Sequence, residues 1–289
     1  MNDKICLITG ATSGIGEVTA REIAIKGAHV VILARNKDKA EKTQQAIIKA
    51  CGHNKVDILI ADLSLQSDIR NAVGQFNEKY PKLDVLINNA GLITGNTRTE
   101  TSEGHEITLA VNHLAPFLLT CLLFDKLKQS PAARIINVSS MVYTMGFTNF
   151  DDIEMKKVFL GLRAYNNSKL YTILFTQELA RRLGPYPSIV ANALHPGVIK
   201  SNFSKDTNGL TGKFMKFFEP MLSSPEKGAE TSIYLASAPE AQNYNGRFFI
   251  HSKPSRLWNL AITPENAETL WNLSEKLTNC SFLPKVKFG

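Results

Sequence analysis

Residues 4–35, KICLITGATSGIGEVTAREIAIKGAHVVILAR, decide the fold. A short apolar run ends near Thr9, the chain turns through Gly10, Gly14 and Gly16, a helical pattern reaches about Lys26, and the apolar run HVVILA follows. Strand, glycine turn, helix and strand in that order predict a βαβ unit with parallel strands. Glycines at such a turn let the backbone come close to a pyrophosphate, whose charge is favoured at the N-terminus of the next helix. The spacing G-x-x-x-G-x-G departs from the usual G-x-G-x-x-G fingerprint, but its place between strand and helix is the same.

The pattern continues along the chain. Apolar runs near 4–9, 28–33, 56–60, 83–87, 133–138, 188–194 and 247–250 read as strands. They alternate with helical patterns near 15–26, 37–50, 67–79, 103–128, 163–183 and 226–237. Such alternation predicts an α/β class: a single-domain, doubly wound Rossmann-type fold with a seven-stranded, mainly parallel sheet and helices on both faces. A chain of 289 residues with 44% hydrophobic content is long enough for one such domain. Ligands of these sheets bind outside the carboxyl ends of the strands. Gly10, Arg35, Asp62, Asn88 to Gly91, Ser139 and Ser140, and His195 to Ser201 each follow a predicted strand there.

RAYNNSKLYTILF at 163–175 carries the chemistry. Tyr165 and Lys169 are four apart on a helical pattern and so share a face. A phenol has a reference pKa of about 10. The ammonium of Lys169 is therefore expected to favour the tyrosinate and bring Tyr165 into acid–base range. An isolated Tyr-x-x-x-Lys pair would ordinarily be a surface tyrosine and a solvated lysine; the N-terminal βαβ unit changes that reading.

Four separated motifs fall in one order: TGATSGIG at 9–16, NNAG at 88–91, NVSS at 137–140 and YNNSK at 165–169. With them the chain resembles the short-chain dehydrogenase/reductase family. HPGVIKS at 195–201 is similar to that family's Pro-Gly nicotinamide loop, with Ser201 where a threonine is usual. The long separation of Ser140 from Tyr165 and the tail TPENAETLWNLSEKL resemble most the retinol-dehydrogenase-like and protochlorophyllide-reductase-like branch. The resemblance implies a catalytic set of Asn112, Ser140, Tyr165 and Lys169, with Ser139 as the alternative serine. Ser140 and Tyr165 would donate to a carbonyl oxygen, Lys169 would also bind the nicotinamide ribose, and Asn112 would hold a relay water through its carbonyl. Cofactor contact is implied for Gly10, Thr12, Ser13, Gly14, Ile15 and Gly16 in the turn, and for Arg35 and Asn36 after strand two. It is implied further for Asp62 and Leu63, for Asn89, Ala90 and Gly91, and for Pro196, Gly197, Val198 and Ser201. A homodimer is also a property of the family.

An NAD-preferring site places an acid at the tip of strand two. Here the tip reads ILARNKDK. Arg35, with Lys37 or Lys39 adding field, suits a 2′-phosphate, so NADP(H) is the expected cofactor. A segment at about 202–224 stands where the family carries a substrate lid, and a helical tail is expected at about 263–289. Phe203, Phe214 and Phe217 of the lid, with Met141, Tyr143, Met145 and Phe147 after strand five, are expected to form an apolar pocket for a lipophilic carbonyl or alcohol. A C=C reductase and a cofactor-binding regulatory protein remain the alternatives. His113 and His195 are read as packed or pocket-lining residues.

The net charge of +7 is spread along the chain without a nucleic-acid module, and a general attraction for an anionic cofactor accounts for it. No apolar run approaches the roughly 18 residues of a membrane span, and MNDK leads directly into the first strand. Cys6, Cys51, Cys121 and Cys280 show no short spacing, so free thiols and a cytoplasmic location are expected. No metal-ligand spacing occurs among the six histidines, and no metal is expected.

Overall fold

Residues 1–197 and 224–283 are described by the computed structural model. Val198, Ser201, Phe203, Phe214, Phe217 and the expected lid up to residue 223 lie outside the described residues. The strands are β1 Ile5–Thr9, β2 His29–Ala34, β3 Val56–Ile60, β4 Val85–Asn88, β5 Ala133–Val138, β6 Ile189–His195, β7 Phe248–Ile250 and β8 Lys253–Ser255. Their order in the sheet is β3-β2-β1-β4-β5-β6-β7-β8, and among the described strands only β8 runs antiparallel to its neighbour. The eighth strand is one more than expected. His251 and Ser252 make its hairpin turn with positive φ angles of 50° and 59°, without the Asn-Gly or Asp-Gly pair that would announce it. Pro254 is tolerated because β8 is an edge.

The helices are α1 Gly14–Ile25, α2 Lys37–Cys51, α3 Gln66–Lys79, α4 Ile107–Leu109, α5 Ala115–Leu122, α6 Phe124–Lys128, α7 Gly161–Arg182, α8 Pro225–Ser237 and α9 Pro264–Thr278. Side chains of a strand alternate between faces, and here both faces are apolar. Cys6 and Ile8 pack with Ala20, Ile23 and Leu235 of α1 and α8. Leu7 between them joins Ile69, Phe76, Phe117 and Phe175 of α3, α5 and α7. Layers on both sides therefore hold the strand ends rigidly at one edge.

The single helix expected over 103–128 is interrupted. A π turn at Ala110–Leu114 separates α4 from α5, and the Ala115 N–H reaches back to the Ala110 carbonyl. Pro116 is the cause. It has no N–H for the carbonyl of Asn112 four residues earlier, and its ring would crowd that carbonyl in an α-helix.

The expectation of four free thiols is corrected. Cys121 at the end of α5 is bonded to Cys280 just past α9, whereas Cys6 and Cys51 are free. Their sequence separation of 159 hid the pair. α9 folds back so that Trp271 meets Phe117 and Phe175 at ring distances of 5.1 and 5.9 Å, and the Arg182 guanidinium lies 4.5 Å over its ring. That packing delivers residue 280 to α5.

Candidate active site

The turn after β1 is shaped by steric exclusion. Gly10 and Gly14 have φ angles of +66° and +55°, a region that a Cβ disfavours. A Cβ on Gly16 would lie 2.3 Å from the Gly10 carbonyl oxygen and 2.5 Å from Asn89 Nδ2. Ser13 stands at the N-cap of α1 without capping it through its side chain, so the first-turn amides of Gly14, Ile15 and Gly16 have no acceptor from that side chain. A glycine turn with an uncapped helix start is a candidate anion cradle. Thr12 and Ser13 lie on its rim.

The other strand ends complete the cleft. Arg35 is exposed, with its guanidinium 3.7 Å from the Asp62 carboxylate. Asn36 caps α2 by accepting from the Lys39 amide at 2.9 Å, so its side chain has a structural duty. Asp62 accepts from the Ser64 amide and hydroxyl at 2.9 and 2.8 Å, and Leu63 follows it. Neither Ser64 nor Ser67 caps α3 through its side chain. Instead Glu103, from a distant loop, accepts from the amides of Gln66 and Ser67 at 2.7 and 3.1 Å. Asn89 is largely consumed in holding strands together: its Nδ2 donates to the Thr9 carbonyl at 2.8 Å, while Thr9 Oγ1 accepts from the amides of Asn89 and Ala90 at 3.0 and 2.9 Å. Pro196 and Gly197 follow β6, Gly197 with φ of +92°.

Tyr165 and Lys169 sit on α7 beside these ends. Lys169 Nζ donates to the Val138 carbonyl at 3.0 Å and lies 5.5 Å from the centre of the Tyr165 ring. A Cβ on Gly91 would touch both Lys169 Nζ and Asn112 Oδ1 at 3.4 Å, so the ammonium and Asn112 meet at the floor formed by Asn89, Ala90 and Gly91. Asn112 spends its side chain on scaffolding. It donates to the Leu92 carbonyl and to Ser168 Oγ, both at 2.9 Å, and accepts from the Leu92 amide at 2.8 Å. The two serines also separate. Ser139 is buried and donates to the Lys169 carbonyl at 2.8 Å, whereas Ser140 is partly exposed at the N-cap of the 3₁₀ turn Met141–Met145.

The electrostatics run opposite to the expected direction for the phenol. Burial pushes Tyr165 up to about 12 and pushes Lys169 down to about 8. Desolvation favours the neutral form of each, and the field of an ammonium 5.5 Å from the ring does not overcome it. Tyr165 accordingly keeps its proton at neutral pH, and Lys169 titrates close to neutrality.

A family model for short chain dehydrogenases matches residues 4–209. The chain belongs to that family. Retinol dehydrogenase 12 of Mus musculus is 38% identical over 276 residues, covering 95% of this chain and 86% of the relative. Polyprenol dehydrogenase of Homo sapiens is 34% identical, covering 96% and 85%. A crystal structure of a short chain dehydrogenase from Escherichia coli CFT073 complexed with NADPH superposes with a TM-score of 0.70 at 25% identity, over 88% of this chain and 98% of that one. A structure from Mycobacterium Paratuberculosis gives 0.78 at 30%, over 98% and 96%.

Several residues of this short-chain dehydrogenase were not visible as site residues in the sequence. Thr9 organises the floor, and Ser168 links Asn112 to the Tyr165 carbonyl, to which its hydroxyl donates at 2.7 Å. The only signal was their place inside TGATSGIG and YNNSK. Tyr143 is corrected from pocket wall to core: it is fully buried against Phe248 at 5.2 Å. Met141, Met145 and Phe147 do remain exposed. His195 accepts from the Met141 amide at 3.3 Å and is held neutral, down to about 4, by burial and then by His251. Among the described residues, no helix is long and apolar enough to cross a membrane.

Proposed function

We propose that this oxidoreductase interconverts a lipophilic carbonyl compound and its alcohol with NADP(H), Tyr165 acting as the general acid and base. The observation that carries the proposal is the convergence of Lys169 Nζ and Asn112 on Gly91, beside a glycine turn that has no room for a Cβ at Gly10 or Gly16. The residues fit a dinucleotide: the open first turn of α1 suits its pyrophosphate, and the exposed Arg35 suits a 2′-phosphate. Bound there, the nicotinamide supplies or takes the hydride.

The chain's own groups do the rest. Ser140 and Tyr165 donate hydrogen bonds to the substrate oxygen and stabilise the charge that grows on it. Tyr165, protonated because it is desolvated, gives its proton to that oxygen during reduction. Lys169 binds the ribose and holds positive charge near the tyrosinate that results. The Asn112 carbonyl, left without an α-helical partner by Pro116, accepts from a water that returns the proton. Lipophilic substrates are supported by the names of the retinol and polyprenol relatives and by exposed Met141, Met145 and Phe147. NADP is supported by the NADPH-complexed neighbour and by the absence of an acid at the tip of β2.

The test is a screen of NADPH and NADH oxidation against retinoids, prenyl aldehydes, ketones, quinones and small polar aldehydes. NADPH-linked turnover with the best kcat/KM on lipophilic carbonyls is expected. Activity confined to polar substrates, or to NADH, would overturn the corresponding half of the proposal.

A further inference from the structure

Between β4, β5 and α7 lies a cavity of about 10 Å³ whose walls include Asn88, Asn112, His113, Asn137, Thr172 and Phe175. That is space for a single water. Two buried polar atoms of its wall residues have no partner among the described residues: Asn88 Oδ1 and His113 Nδ1. An unpaired buried polar group is costly, so two from residues lining one cavity point to a common partner.

The surrounding hydrogen bonds dictate what that partner must be. Ser274 of α9 uses its only proton on the Leu270 carbonyl, at 2.7 Å. Its 2.7 Å contact with His113 Nε2 therefore needs a proton from the imidazole, which leaves Nδ1 as a bare acceptor. Burial agrees, since it holds His113 neutral, down to about 3. The amides run the same way. Thr176 spends its proton on the Thr172 carbonyl at 2.7 Å, so it accepts from Asn137 Nδ2 at 2.9 Å. Asn137 Oδ1 then accepts from Asn88 Nδ2 at 2.8 Å, and Asn88 Oδ1 is left as a second acceptor. Two acceptors on residues that line one cavity of this size need one molecule with two protons and little volume. Methyl groups, cations and larger polar ligands all fail that requirement.

We infer that one buried water donates to both His113 Nδ1 and Asn88 Oδ1, and that the path Ser274–His113–water–Asn88 makes α9 a positioning element of the active site. The path joins a helix beyond residue 209, where the family match ends, to the residue preceding the Asn89–Gly91 floor. It also fixes the ring of the residue following Asn112. His113 and Ser274 touch neither cofactor nor substrate; they act through Asn88 and the backbone of Asn112. This second part rests on the oxidoreductase reading, whereas the water site does not.

Three measurements on the full chain test it. A high-resolution crystal structure should show one ordered water within hydrogen-bond distance of both atoms, and an empty cavity in a map that shows other buried waters would overturn the site. Nitrogen-15 NMR of labelled histidine should show His113 as the Nε2–H tautomer, unchanged between pH 5 and 9, on the order of the range in which a free imidazole titrates; the Nδ1–H tautomer would overturn it. For positioning, Ser274→Ala cuts the path at α9, and His113→Gln keeps a donor for Ser274 while removing the acceptor facing the water. Each should lower kcat for NADPH-linked carbonyl reduction about tenfold, as small misplacements do, with the NADPH dissociation constant held within about twofold. Loss of thermal stability with unchanged kcat in both would reduce the path to packing and sink the positioning claim. A wild-type chain that turns over no carbonyl compound would sink that claim together with the functional reading, and leave density and tautomer to decide the water site.

Discussion

The glycine turn after β1 and the Tyr165–Lys169 segment of α7 face one cleft, but they are built on different physics. The turn owes its shape to what cannot fit: a Cβ on Gly16 would sit 2.3 Å from a backbone oxygen. The ligand contacts proposed for it are main-chain amides, which do not titrate. The α7 segment owes its chemistry to desolvation, which displaces a phenol upward and an ammonium downward, so that two proton affinities that are close in water move apart. Binding geometry is therefore indifferent to pH and intolerant of added atoms. Proton chemistry tolerates shape changes better but depends on burial. Perturbing each region should expose the difference.

The largest effect belongs to α7. Tyr165→Phe keeps the ring and removes the proton, so kcat should fall by about 10²–10⁴-fold while NADPH affinity survives. Near-normal turnover, measured under saturating cofactor, would show that the two regions are not one active site.

Next comes the pH dependence of stability, read as the difference in unfolding free energy between wild type and Lys169→Met. The folded pKa of about 8 lies below the ordinary 10.5, so between those values the unfolded chain binds more protons and stability rises with pH. The contribution is complete above 10.5 and is lost as pH falls to 8; the swing is about 3 kcal/mol in all. Comparison with the variant cancels the opposite trends of Tyr165 and of the buried Cys6 thiol, both pushed up. A flat difference from pH 8 to 10, on the order of the depressed window, would mean that Lys169 is solvated and that burial does not set this region.

The turn should respond differently. Gly16→Ala forces backbone apart at a cost of about 2 kcal/mol, within the usual range for overpacking, so the NADPH dissociation constant should rise about 30-fold. That ratio should be the same at every pH between 6 and 9, roughly the span in which Lys169 changes charge. A pH-dependent ratio, measured by calorimetric titration, would couple the regions and break the comparison.

How much of this was legible in the sequence follows the same division. Close-range constraints were readable: the apolar runs marked seven strands to within a residue or two, and Gly10, Gly14 and Gly16 announced a turn that their φ angles and contacts require. Pro116 hinted at a kink beside Asn112, and the π turn there is its consequence. Burial and long-range return were not readable. Tyr-x-x-x-Lys gives the spacing of two groups but not the desolvation that reverses the expected shift of Tyr165. Nothing near Cys121 reveals that α9 brings Cys280 back to it, or that Glu103 caps a helix far upstream. Tyr143 read as a pocket wall because it follows a strand end, yet the 3₁₀ turn aims its ring at Phe248.

The smallest effect lies at the rim of the cradle, where neither steric exclusion nor burial operates. Arg35 is the proposed reader of a 2′-phosphate, and a charge-assisted hydrogen bond contributes about 1.5–3 kcal/mol. Its side chain is 75% exposed, so solvent and salt screen the interaction toward the low end. Arg35→Ala should thus weaken NADPH about tenfold. NADH, which lacks the phosphate, should lose no affinity, because the Arg35 guanidinium is otherwise engaged only at the surface, 3.7 Å from Asp62. The loss for NADPH should shrink as salt is raised, unlike the salt-independent loss at Gly16. Equal losses for the two cofactors would show that Arg35 supports the adenosine generally, and the proposed preference for NADP(H) would then have no residue to carry it.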